Sequence, residues 1–205
     1  MSFADDILEN ARRLRDDAKL LFDAQRYASC GLLQVICLEE LGKAYLTANS
    51  IPRDPKLYHR QKQEAAISLS AAVRMHRLLE ETCDEHGWNY WGNMDDAEKY
   101  YEWMASDDGR KAIAEATKKV SSWLRVTRHG VLEKLRLMAA YIDEGPNSPG
   151  SQLEGDKFYT YRAFDRQFSN SAFDFIDAGF ECLEDERISG VVELFRTVLW
   201  KPTIQ

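Results

Sequence analysis

The stretch Ala28–Leu46, ASCGLLQVICLEELGKAYL, decides the fold class. Its apolar residues recur on too many sides for a surface helix, yet Glu39, Glu40 and Lys43 interrupt it. At ~100° per residue, Leu32, Val35 and Ile36 share one side of a helix with Glu39 and Lys43, and Glu40 lies at the margin. An unpaired charge in a core stripe is costly, so these groups are expected to be paired, hydrated at a cleft or kept for chemistry. We read them as the floor of a polar site. The bland alternative for Glu39 and Lys43 is a helical salt bridge, since they are four apart in the favourable order.

Upstream, Ser2 and Asp5 form a capping-box pattern, and Ile7, Ala11, Leu14, Ala18 and Leu21 recur at helical spacing to about Gln25. Downstream, the central helix stops in Asn49-Ser50-Ile51-Pro52, and Asp54-Pro55 supplies the next cap. The third helix runs to about His86, with Leu69, Ala72, Val73, His76 and Leu79 on its inner stripe. Consecutive helices joined by a short loop pack antiparallel. Counting outward from that turn brings Lys43 level with about Lys62, and Glu39 level with Ala65 or Ala66, with His59 a turn away. Glu39, Glu40, Lys43, His59 and Lys62 are therefore expected to converge at one end of a helical hairpin.

Beyond it, Gly87–Asn93 reads as an aromatic loop, followed by a short helix from Asp95 or Asp96 through Trp103. Further helices are expected over Ser106–Arg125, Leu132–Ile142, Phe158–Asp185 and Ile188–Trp200, with Gly130 as a break and a loop around Pro146, Pro149 and Gly150. No strand alternation or internal repeat is evident. The expectation is an all-α bundle in one domain over residues 1–205, with core helices in 1–86 and additional helices in 87–205.

A chain of 205 residues with 44% hydrophobic and 30% charged residues can bury a real core. Its formal charge of −7 argues against broad non-specific nucleic-acid binding, so any such contact must be focal. The acidic start, MSFADDILENARR, lacks the pattern of a signal peptide, and no apolar run reaches the ~20 residues of a membrane span. A cytoplasmic protein without membrane contact is expected. Cys30, Cys37, Cys83 and Cys182 show no CxxC spacing and read as reduced, packed thiols.

The run LENARRLRDDAKLLFDAQRYASCGLLQVICLEELGKAYL, the E-E-L-G-K of Glu39–Lys43, the H-x-x-K of His59 and Lys62, and the later block Lys134–Asp143 resemble the AbiV family of bacterial abortive-infection proteins. That family is similar to the HEPN superfamily of helical domains, which often dimerise and in many branches cut RNA without metal. The resemblance implies a HEPN-like helical bundle, an antiphage role through RNA or translation, a homodimer, and neither cofactor nor metal. The superfamily's arginine-to-histidine spacing is met by Arg53 and His59, with Arg53 in the loop before the predicted cap.

Metal-independent RNA cleavage needs a base for the ribose 2′-hydroxyl and cations for the charge growing on the phosphate. In that scheme His59 is base or acid, Arg53, Lys62 or Lys43 holds the phosphate, and Glu39 or Glu40 orients His59 or a lysine. A non-catalytic helical protein that binds a phage or translation component is the alternative. A carboxylate metal site of Glu39, Glu40 and His59 is weaker, because the repeated E-x-x-H pattern of helical dimetal proteins is missing. His76 reads as a packed stripe residue, and His86 and His129 as surface residues. Lys118, Lys119, Arg125, Arg128, His129, Lys134 and Arg136 read as a solvated basic face. Trp88, Tyr90, Trp91, Tyr100, Tyr101 and Trp103 read as packing residues, with a stacking platform or dimer contact as the sharper option.

Overall fold

A computed structural model describes residues 3–51, 58–140 and 165–184. The described residues form seven helices: α1 (Phe3–Asp23), α2 (Tyr27–Ala48), α3 (Tyr58–His86), α4 (Met94–Ala105), α5 (Asp107–Arg128), α6 (Val131–Ala140) and α7 (Arg166–Glu184). No strand occurs among them, so the fold is all-α as expected. Ser2, the Asp54-Pro55 cap, Arg53 and the helix expected over Ile188–Trp200 lie outside the described residues.

Local chemistry sets several helix ends. Asn93 caps α4 by accepting from the Asp95 amide at 3.0 Å, which starts that helix slightly earlier than the acidic pair suggested. Ser106 caps α5 through the Gly109 amide at 3.1 Å. Asp165 accepts from the Phe168 amide at 2.7 Å, so α7 starts at Arg166; the stretch 158–164 lies outside the described residues. Gly130 takes φ +69° between α5 and α6, a left-handed conformation that a side chain disfavours, and it separates the two helices as expected.

The central position of α2 explains its apolar composition: it packs against α1, α3, α6 and α7. Leu38 and Leu41 of α2, Ile67 of α3 and Phe175 and Ile176 of α7 are fully buried in one cluster. Such side chains contribute about 1.5–3 kcal/mol each. Tyr45, Leu46, Leu69 and Val73 continue that core toward the α2–α3 turn. A third cluster of Leu79, Cys83 and Tyr100 lies beneath the aromatic loop. All four cysteines are buried and free. Cys37 donates from Sγ to the Ala11 carbonyl at 3.2 Å, and burial pushes its thiol up to about 12, which suits a packed thiol. No described helix is long and apolar enough to cross a membrane.

The α2–α3 crossing turns on Gly42. A Cβ built there would meet the Lys62 carbonyl oxygen at 1.8 Å, so the two backbones touch where any other residue would hold them apart. Gly42→Ala is expected to destabilise the fold by about 1–3 kcal/mol through overpacking, despite alanine's better helix propensity. Urea unfolding checks this: an unchanged or higher midpoint would mean that α3 shifts freely.

Candidate functional site

The close crossing brings the first two turns of α3 over Glu39, whose side chain is only 5% exposed. Three groups of α3 meet its carboxylate. His59 Nδ1 lies 2.7 Å from Oε2, Lys62 Nζ donates to the same oxygen at 3.2 Å, and Gln63 Nε2 donates to Oε1 at 2.8 Å. From α6, Arg136 Nε stands 3.6 Å from Oε1. A buried carboxylate is tolerable only when opposing charge and donors replace its lost water, and Glu39 has both.

His59 is the most exposed of these partners, with a side chain 48% exposed against 23% for Arg136. With Nδ1 directed at Glu39, Nε2 is the ring nitrogen without a hydrogen-bond partner among the described residues. Lys62 is buried, ion-paired to Glu39 and 4.6 Å from the centre of the Tyr58 ring. Its ammonium is committed to holding the carboxylate rather than presented to an incoming phosphate.

Glu40 and Lys43 form their own pair at 3.2 Å on the rim. The Glu39–Lys43 salt bridge expected from spacing is replaced, because Glu39 turns inward to α3 while Glu40, 16% exposed, stays on Lys43's side. The polar contacts to Glu39 come from Lys62 and Gln63; Ala65 and Ala66, expected at its level, pack into the apolar clusters. Of the partners Glu40 was expected to orient, it meets a lysine, Lys43, and among the described residues it makes no contact with His59.

Gln63, Arg136 and Glu133 escaped sequence reasoning as parts of the site. Gln63, fully buried, follows Lys62 directly, and only its position one turn beyond His59 hinted at it. Arg136, assigned above to a solvated face, is a correction: Glu133 grips it at 3.1 and 2.7 Å and aims it at Glu39. Glu133 and Arg136 are three apart on α6, a local signal for a pair but not for its target. Arg128 is exposed, as a solvated face implies, with its Nε 4.0 Å from Glu64. Arg60, next to His59, also faces Glu64 at 3.9 Å and donates to the Arg128 carbonyl at 3.2 Å, joining α3 to the end of α5. Burial nevertheless holds the Glu64 carboxyl above its usual range, against the pull of both guanidinium groups.

Of the other histidines, His76 is 5% exposed, 3.5 Å from Glu80 and stacked beside Trp91, as a packed residue should be. His86 stacks on Trp88, and His129 caps the end of α5. Glu39, His59 and Glu133 bring ligand atoms within 4.8 Å of one another. That donor set suits a divalent cation poorly, because Lys62 and Arg136 already neutralise the two carboxylates and would repel a metal at contact range.

What these helices and this cluster define is an all-α bundle built around an internal carboxylate. A family model described as AbiV matches residues 1–148, and the chain belongs to that family of HEPN-type abortive-infection proteins. The match takes in His59, Lys62, Gln63 and Arg136, the described side chains that meet the Glu39 carboxylate. No curated protein and no solved structure matches the chain.

Removing one member of a buried ion pair leaves the other uncompensated. Glu39→Ala is expected to cost about 3–5 kcal/mol in chemical unfolding, and combining it with Lys62→Met should return part of that loss. A single-variant cost below about 1 kcal/mol would place the pair with ordinary surface bridges. Glu64 gives a pH test. Its folded pKa is raised, so ionisation opposes folding, and the favourable contribution present below its unfolded pKa is lost as pH rises through the folded value. Glu64→Gln should therefore raise the melting temperature at neutral pH, with the gain vanishing in acid; a loss at neutral pH would show that the arginines outweigh desolvation.

Proposed function

We propose that this protein is an antiphage ribonuclease that cuts RNA without a metal, with His59 as its proton-transfer residue. One observation carries the reading: an imidazole, half exposed, is held through Nδ1 by a buried carboxylate at 2.7 Å. A carboxylate on one ring nitrogen fixes the tautomer in which the other is an acceptor, as in hydrolase triads. Nε2 is then the base.

In the reaction, Nε2 takes the proton of a ribose 2′-hydroxyl, and the 2′-oxygen attacks the adjacent phosphorus. The bond to the 5′-oxygen breaks, leaving a 2′,3′-cyclic phosphate; the departing oxygen gains a proton from water, and the hydroxide so formed takes the proton back from the imidazolium. Glu39 stabilises the imidazolium; Gln63, Lys62 and Arg136 keep Glu39 in place. Phosphate contact falls to Arg53, nominated by its spacing from His59, and to Lys43 at the rim. In this reading the chain works as a cytoplasmic homodimer and its partner is RNA, while Lys62 moves from phosphate binding to positioning. The overall acidity of the chain confines RNA to a focal site.

Cells carrying wild type or His59→Ala, challenged with phage, test this through plating and total-RNA integrity. The wild type should yield fragments ending in 2′,3′-cyclic phosphate, and the purified protein should make them in EDTA. His59→Ala should lower cleavage by about 10²–10⁴-fold without a matching loss of folded protein, because the ring is half exposed. Full phage protection by His59→Ala would instead support a non-catalytic binder of a phage or translation component.

A further inference from the structure

At the far end of α3 from His59, exposed aromatic rings of the Gly87–Asn93 loop and α4 are flanked along the chain by acids of α3 and α4. Trp91 is 65%, Met94 84% and Tyr101 46% exposed. The rings are mutually braced: Trp91 meets Tyr90 edge-on at 4.9 Å, Tyr90 meets Tyr101 at 6.0 Å, and the two tyrosine hydroxyls are 2.8 Å apart. Tyr100, 3% exposed, anchors this layer to the core below. Met94, Glu98 and Tyr101 recur at i, i+4 and i+7, so they form one stripe of α4. Glu98 and Glu102 on α4, and Glu81, Asp84 and Glu85 on the last turns of α3, are exposed and have no ion pair among the described residues.

Large exposed apolar rings mark an interaction surface, and their charge setting restricts the occupant. Carboxylates repel an RNA backbone, and they repel the same face of a second copy. A guanidinium group satisfies both parts at once, stacking on the rings and pairing with the carboxylates. We propose that the α3–α4 face docks an arginine-rich segment of a partner protein, separately from the His59 site and independently of its chemistry. A lysine segment matches the charge but stacks less well, which makes arginine preference the signature.

The full chain titrated into fluorescein-labelled octa-arginine or octa-lysine, read by anisotropy, tests the proposal. Octa-arginine should bind more tightly. Trp91→Ser with Tyr101→Ser should weaken it by about fivefold or more with little effect on octa-lysine. Glu98→Gln with Glu102→Gln should weaken both peptides, and Asp16→Asn with Asp17→Asn on α1 should weaken neither. An unchanged melting temperature keeps misfolding out of the comparison. The proposal fails if the aromatic substitutions leave octa-arginine affinity unchanged, if the two peptides bind alike, or if the α1 substitutions act equally. It fails too if the aromatic variant loses only self-association in sedimentation, which would make this a face between copies.

Discussion

A carboxylate kept inside a helical bundle must be surrounded, and Glu39 imposes that demand on three helices. Its two oxygens take up an imidazole, an ammonium and a carboxamide from α3, with a guanidinium close by from α6. Each group is held by something else in turn: Lys62 by the Tyr58 ring, Arg136 by Glu133, and the whole of α3 by its contact with Gly42. The polar cluster and the helix crossing are one arrangement, because without the close approach the first turns of α3 would not reach the acid.

The same constraint divides labour among residues that look alike in sequence. Lys43 and Lys62 are both lysines near Glu39, yet one closes a rim pair with Glu40 and the other is spent inside. Glu39 and Glu40 are neighbours, but a 100° step around α2 sends one to α3 and leaves the other at the edge. Among the described partners of Glu39, the imidazole is the one that reaches furthest into solvent. It is bound on its inner side and open on its outer side, the geometry that proton exchange with an external molecule requires.

Much of this was legible from the residues. Charges inside the apolar run Ala28–Leu46 announced a buried polar site, and an antiparallel count across the Asn49–Asp54 turn brought His59 and Lys62 to it. Local periodicity carries such information because it survives in any bundle that α2 and α3 form. Gly42 left a signal, a glycine in the middle of an apolar helix, that only the close backbone contact explains. Arg136 left none that distinguished it from nearby cations: which helix turns a guanidinium toward α2 depends on tertiary packing, to which spacing along α6 is blind. The Glu39–Lys43 pair failed for a related reason. Sequence distance ranked it as favourable, and a stronger set of donors on another helix took the acid away.

That Arg136 comes from α6 ties the site to the order of synthesis. Glu39, His59 and Lys62 leave the ribosome long before the guanidinium that completes their surroundings, so a nascent chain holds the acid with only part of its escort. The charge of the internal acid is therefore fully answered only once the chain has been made through α6.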